Sequence, residues 1–309
     1  MIVQHNMTAL NANRQLGITN SALAKSTEKL SSGYRVNRAA DDAAGLSISE
    51  KMRGQIRGLN QASDNAENGI SLIQTAEGAL NEIHSVLQRM RELTVQAAND
   101  TNVTADRQAI ALELSQLTNE IDRIASQTQY NTMNLLNGSF TKKHLQVGAN
   151  TNQMISIKIA AMTAKGLGVA KSIIARAVYV KGNKAKDVAA SDETIAGTKY
   201  DYKGSVKGVG GKAITGSTIS KLIDRVNSAL TQVSLQRSYL GAIQNRLEHT
   251  VTNADNMAEN LQSAESQIRD VNMADEMVTY SAKSILQQAG QSMLAQANQA
   301  TQGVLSLLR

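Results

Sequence analysis

The side chains in this sequence best suited to hold a metal or move a proton near neutral pH are four histidines, His5, His84, His144 and His249. They are scattered. No two stand four residues apart, so no helix can present the paired imidazoles of a zinc site, and the His-Glu-x-x-His pattern of a metalloprotease does not occur. They read as exposed or capping residues. A Gly-x-Ser-x-Gly nucleophile elbow is absent, as is a glycine-rich phosphate loop followed by Lys and Ser or Thr. The run Gly208 to Gly211 reads as a turn former. No residues are candidates for catalysis, for a cofactor or for a metal, and the protein is expected not to be an enzyme.

Basic side chains could instead hold a polyanion. Residues 141–221 carry 14 Lys and Arg against 4 Asp and Glu, net +10, whereas the rest of the protein is net −4. Only Tyr179, Tyr200 and Tyr202 could stack on bases there, and no nucleic-acid-binding motif accompanies them. A solvated outer face is expected, with no nucleic-acid partner. No segment approaches the run of about 18 apolar residues that crosses a membrane. Residues 1–30 also lack the apolar stretch of a cleaved signal, since Asn6, Asn11, Asn13, Arg14 and Gln15 interrupt it, so any export is expected to use another route.

With no reactive constellation in view, the architecture carries the reading. The protein has 309 residues and 41% hydrophobic content, enough for a substantial core, yet no Pro, no Cys, no Trp and one Phe, Phe140. Average usage would give roughly 15 prolines. Their absence permits long unbroken helices and also removes slow cis/trans isomerisation from folding. Without cysteines, stability must come from packing or from assembly with copies of the same molecule.

The strongest pattern is heptad. Two interleaved series, Leu59, Ala66, Ile73, Leu80, Leu87, Thr94 and Ala62, Gly69, Ala76, Ile83, Met90, Ala97, draw one stripe along a helix. That helix has about 40 residues and a length of roughly 60 Å. After a polar break at Asn99 to Asn102, Ile110, Leu114, Leu117, Ile121 and Ile124 predict a second helix ending near Gln129. A third is predicted from Ile219 to Ile268, where Val226, Val233, Leu240, Leu247, Ala254, Leu261 and Ile268 recur every seven residues. Three such rods can share one core.

Thinner stripes mark both ends. Leu16, Leu23 and Leu30 are spaced by seven with Ala12, Thr19 and Ser26 between them, and Leu286, Met293, Ala300 and Leu307 are spaced by seven with Ala289, Ala297 and Val304 beside them. An isolated helix with so little apolar surface is marginal in water, so these ends are expected to gain order against neighbours. Gly33 can stop the first helix and Asp41 or Asp42 can cap the next, which makes Ser31 to Gly45 a connector in which Ala39, Ala40, Ala43 and Ala44 allow close backbone approach.

Between Gly138 and Gly216 the helical period fades. Gln153 to Ile159 alternates apolar and polar residues as a half-buried strand does, Ala177 to Val180 suggests another, and Gly204 to Gly216 punctuates a turn-rich stretch. The expected fold is mainly α, an elongated bundle of long helices with a small β-rich insert, its two ends folded together as one coiled coil.

Several blocks resemble the bacterial flagellin family. Leu30-Ser31-Ser32-Gly33-Tyr34-Arg35-Val36-Asn37 with Ala40-Asp41-Asp42-Ala43-Ala44-Gly45-Leu46 is similar to its N-terminal signature, and Gln88 to Asn99 to a second block. Ile285 to Gly290, Ala295 to Gln299 and Val304 to Arg309 resemble its C-terminus. The likeness spans residues 1–170 and 221–309. It implies a subunit that polymerises into the flagellar filament, with a terminal coiled coil termed D0 (residues 1–42 and 267–309), a helical rod with a β-hairpin termed D1 (43–171 and 221–266) and a reduced outer insert (172–220). The polymerisation residues would be Leu16, Leu23, Leu30, Leu286, Met293, Ala300, Val304 and Leu307. It implies unfolded export through the flagellar type III apparatus to an extracellular filament, with a cytoplasmic export chaperone, a cap and hook-junction proteins as partners beside the subunit itself.

Arg89 and Leu93 are four residues apart and lie off the series Leu80, Leu87, Thr94, so both are expected on a solvated face that packs on the next subunit. The resemblance adds a second role: Gln88, Arg89, Leu93, Gln96 and Glu113 match the residues through which many flagellins bind the Toll-like receptor that detects them in vertebrates. A hook–filament junction protein, which shares the terminal helices, is the alternative; the Arg89 to Asn99 block and the Val304 to Arg309 ending favour the filament subunit.

Overall fold

The computed structural model describes residues 6–170 and 216–307, the side chains of 104, 216–218, 220 and 300–307 excepted. Among the described residues five α-helices and two short hairpins follow in order: α1 (Met7–Ser32), α2 (Ala43–Ala98), α3 (Thr104–Gln127), β1 (Gln129–Tyr130), β2 (Met133–Asn134), β3 (Lys143–Gln146), β4 (Met154–Ile157), α4 (Gly216–Arg269) and α5 (Met273–Leu307). The fold is mainly α with long helices. The suggested strand at Ala177 to Val180 and the turn-rich stretch up to residue 215 lie outside the described residues.

The protein forms two compact units, one of residues 1–60 and 255–309 and the other of 61–254. In the second unit all members of the two α2 series from Ala62 to Ala97 are buried, and so is α4 at Val226, Val233, Leu240, Leu247 and Ala254. Ile110, Leu114 and Ile121 of α3 complete the helical part of the core. A third α2 column, Leu72, Ala79, Val86 and Leu93, is also drawn in, because the stripe must face α3, α4 and the hairpins at once and one two-column seam is too narrow for that.

α2 begins 16 residues earlier than Leu59. The reason is that Gly45, Ser47, Ser49, Gly54 and Gly58 dilute the apolar pattern there without a proline to end the helix. Its start is capped by Asp42, whose carboxylate accepts the Gly45 N–H at 2.8 Å, so Ala43 and Ala44 belong to the helix and the connector is only 33–42. Asp41 instead ties the connector to itself. It accepts the amides of Arg38 and Asn37 at 3.0 and 3.3 Å, and these backbone donors, Arg38 first, lower its carboxyl below the ordinary value.

The hairpins sit over this core. β4 alternates as expected, with Ile155 and Ile157 buried and Met154 and Ser156 exposed, and pairs antiparallel with β3. No alternation in the sequence predicts the β1–β2 hairpin; its turn, Asn131-Thr132, holds φ of 46° and 62°, the signature of a two-residue primed turn for which asparagine is a recognisable cue. Gly69 leaves room for Leu145 of β3, since a Cβ there would stand 2.3 Å from a Leu145 methyl and push that side chain aside.

Within the first unit, α1 ends at Gly33 with φ 75°, its N–H donating to the Lys29 carbonyl at 2.9 Å. A Cβ at this position would meet nothing within 4 Å, so only backbone strain opposes substitution. Gly33→Ala is expected to cost about 1 kcal/mol, read as a lower thermal midpoint for the terminal unit by circular dichroism. An unchanged midpoint would mean that the cap does not govern this end.

Candidate assembly and recognition surfaces

In the first unit α1 and α5 run antiparallel. The Asn6 side-group amide donates to the Ala297 carbonyl at 2.9 Å, Leu16 lies against Gly290, and the Ser26 hydroxyl donates to Glu276. The half-buried or buried side of α1 is Ala9, Ala12, Leu16, Thr19, Leu23, Ser26 and Leu30, the heptad columns read from the sequence. The corresponding side of α5 is not. It consists of Glu276, Tyr280, Lys283, Ser284, Gln287, Gly290, Leu294 and Ala297, a mixed seam in which polar and small residues outnumber the two large ones, Tyr280 and Leu294.

Leu286 and Met293 do not face α1. Each is 59% exposed, and they belong with Val278, Ala282, Ile285 and Ala289 to a stripe roughly a third of a turn away. α1 and α5 do pair, and the pairing leaves Leu286 and Met293 uncovered. α5 turns mostly polar and small residues toward α1, with Gly290 allowing Leu16 to approach, and leaves Val278, Ile285, Leu286 and Met293 exposed. Ala300, Val304 and Leu307 continue the same helix, with side chains outside the described set. On α1, Met7, Leu10 and Ile18 are exposed as well.

Where α4 ends, Arg269 stacks over the Tyr34 ring at 4.5 Å and reaches Glu50 at 3.2 Å. Around it Arg35 N–H donates to the Arg269 carbonyl at 2.6 Å and Val271 N–H to that of Gly33 at 3.0 Å. These bonds fasten residues 33–35 to 269–271, and Val36 is buried beside them. Asn272 then starts α5 by accepting the Ala274 amide at 3.1 Å.

In the second unit Arg89 donates to Glu113 on α3 through Nε at 3.0 Å and Nη2 at 2.9 Å, and to Glu92 through Nη1 at 3.0 Å. Glu113 above all, then Glu92, raises the arginine's pKa further above its usual range. All three side chains are well exposed, so this network orients groups more than it stabilises the fold. Gln88 and Gln96 are exposed too, Gln88 bonding His84 at 3.1 Å and the Gln96 carbonyl accepting the Asn102 amide group at 2.5 Å. Leu93 is different. It is 2% exposed and part of the core cluster, so the solvated face expected to carry both Arg89 and Leu93 carries only the arginine.

The remaining chemistry-bearing residues stay apart. His84 is half-buried on α2, His144 lies exposed on β3, His249 is exposed on α4, and His5 lies outside the described residues. Among the described residues no three His, Cys, Asp or Glu side chains group as metal ligands, and no helix is long and apolar enough to cross a membrane.

Residues 3–141 match the bacterial flagellin N-terminal helical region, and residues 223–308 match the bacterial flagellin C-terminal helical region. The protein belongs to the bacterial flagellin family. Flagellin of Halalkalibacterium halodurans is 49% identical over 309 residues and flagellin of Bacillus subtilis 48% over 321, each aligned over the full length of both proteins. A solved structure described as a putative flagellar hook-associated protein of Vibrio parahaemolyticus overlays 75% of this flagellin and 98% of its own length with a TM-score of 0.53. At 11% identity that likeness concerns the fold alone. Flagellins are structural proteins of the extracellular filament rather than enzymes, and this flagellin is a self-associating filament subunit.

Proposed function

We propose that copies of this flagellin lock together through the outward stripe of α5, with the outward residues of α1 beside it. The observation that carries this reading is the split of α5 into two faces. Its seam toward α1 is mostly polar and small, with Leu294 and Tyr280 its two large members, while Val278, Ile285, Leu286 and Met293 are exposed. Large apolar side chains in one stripe gain about 1.5–3 kcal/mol each when fully buried, and a second copy of the molecule can bury these. Repetition of one such contact gives an open helical polymer. The terminal pair then acts as the D0 coil (residues 1–42 and 267–309), residues 43–171 and 221–266 as the D1 rod, and 172–220 as a small outer insert.

Leu286→Ser and Met293→Ser test this. Each variant should raise the protein concentration needed for filament growth by about tenfold or more, measured by sedimentation and electron microscopy after seeding, with the melting curve unchanged. Growth at the original concentration would remove the stripe from the contact.

The finer reading of the pathway is export of the unfolded protein by the flagellar type III apparatus, with a chaperone in the cytoplasm and cap and hook-junction proteins at the filament. Its support is compositional, since a polypeptide without cysteine or proline threads a narrow conduit without disulfides and refolds without waiting for isomerisation.

A second reading concerns recognition by a vertebrate Toll-like receptor at Gln88, Arg89, Gln96 and Glu113. The exposed Arg89–Glu113 fork favours it: a planar guanidinium held in place by two carboxylates reaches a partner at little entropic cost. Leu93 would serve this surface from beneath, by packing. Arg89→Ala should weaken binding to the receptor ectodomain about tenfold or more by surface plasmon resonance, and unchanged affinity would take Arg89 out of the site.

A further inference from the structure

The sequence holds two Asn-Gly pairs, Asn68-Gly69 and Asn137-Gly138. In such a pair the glycine amide, unhindered by a Cβ, can attack Cγ of the asparagine before it. The fold treats the two pairs oppositely. Asn68 and Gly69 lie deep within α2, where the Gly69 amide belongs to the helical ladder and Leu145 and Leu247 close over the glycine. Attack there requires local opening of the longest helix among the described residues.

Asn137 lies exposed between β2 and β3. Gly138 adopts φ 89° and its N–H donates to no group among the described residues, so the nucleophile is uncommitted. The Asn137 Oδ1 accepts two hydrogen bonds, from the Ser139 N–H at 2.9 Å and the Ser139 hydroxyl at 2.6 Å. Two donors on one carbonyl oxygen draw electron density from Cγ and favour the oxyanion formed on attack, the arrangement used by acyl-transfer sites. Two flanking bonds hold the segment independently of Asn137: Met162 N–H to the Leu136 carbonyl at 2.8 Å and Ile159 N–H to the Phe140 carbonyl at 3.1 Å. Leu136 and Phe140 are both buried.

We propose that Asn137 is a site of spontaneous deamidation in the folded protein. The Gly138 nitrogen bonds to the Asn137 Cγ and yields its proton to hydroxide or a buffer base. The Cγ–Nδ2 bond breaks, and Nδ2 leaves as ammonia. Water then opens the five-membered imide at either carbonyl, leaving aspartate or isoaspartate, with no change in oxidation state. Aspartate can still accept both Ser139 bonds, so the fold survives while the exposed connection gains a negative charge. A subunit kept for long in a polymer accumulates this mark and a fresh one lacks it.

The test incubates the full-length protein in mildly alkaline buffer, beside a sample in denaturant, and follows both asparagines by peptide mass mapping with isoaspartate methyltransferase labelling. Asn137 should convert at least about tenfold faster than Asn68 in the native protein, and the difference should vanish in denaturant, because helix opening is what protects Asn68. The Asn137→Gln variant, which cannot close a five-membered ring, should lose the native signal. Equal native rates at the two sites would overturn the proposal. So would an intact Asn137 in native protein under conditions where the denatured protein converts, or a persistent native signal in Asn137→Gln.

Discussion

Removal of residues 286–309 is expected to abolish filament growth while the unit of residues 61–254 keeps its helical signal and its melting temperature. The deletion takes away Leu286 and Met293, two large members of the outward stripe, and also Gly290 and Ala297, which face Leu16 and Asn6 at the α1 end. What remains of α5 still reaches Glu276 opposite Ser26, so only the end of the pair near Arg35 and Arg269 persists. The first turns of α1 then lose their partner, and a lone helix of that length is marginal. None of the core cluster built from Ala66 to Leu247 lies in the deleted segment. Circular dichroism should therefore show a loss of helix confined to the terminal unit, with no cooperative unfolding of the other. Filaments grown by the truncated protein in electron micrographs would refute this.

The second large effect lies in that core. Leu87 is fully buried on α2, so Leu87→Ala should destabilise the monomer by about 2–5 kcal/mol, measured by urea unfolding, through lost transfer energy and the cavity left behind. Leu235 is the control. It is 66% exposed on α4, and Leu235→Ala should change stability by no more than about 0.5 kcal/mol. Since a domain of this kind is stable by only about 5–15 kcal/mol, the first change takes a large share of the margin. Comparable effects at the two positions would contradict the assignment of the core.

These expectations differ in how much of them a reader of the sequence could have had. The burial of Leu87 follows from spacing: every member of the α2 series it belongs to, from Leu59 to Thr94, is buried. The α1 columns Leu16, Leu23 and Leu30 likewise lie on the side that meets α5. The length of α2 was less legible, because a helix rich in glycine and serine near its start shows no apolar period, although Asp42 marks its cap. The Asn131-Thr132 turn carried a cue in its asparagine, but two-residue strands are too short for any alternation to show. Arg89 and Glu113 are 24 residues apart on different helices, and their pairing has no sequence period at all.

Two positions show where spacing ceases to decide. Leu93 stands four residues from exposed Arg89, yet it belongs to a third buried column because α2 is flanked by more than one neighbour. Leu286 and Met293 obey a heptad and still point away from α1. A heptad is a property of a single helix: the sequence by itself determined which residues form an apolar stripe and that no proline breaks the helices that carry them. How wide a stripe is buried, and whether it meets its own molecule or is left for a second copy, depends on the number of packed neighbours and the size of their side chains. Only the tertiary structure decided that, by setting the mostly polar and small side of α5, with Leu294 and Tyr280 in it, against α1 and leaving Val278, Ile285, Leu286 and Met293 exposed.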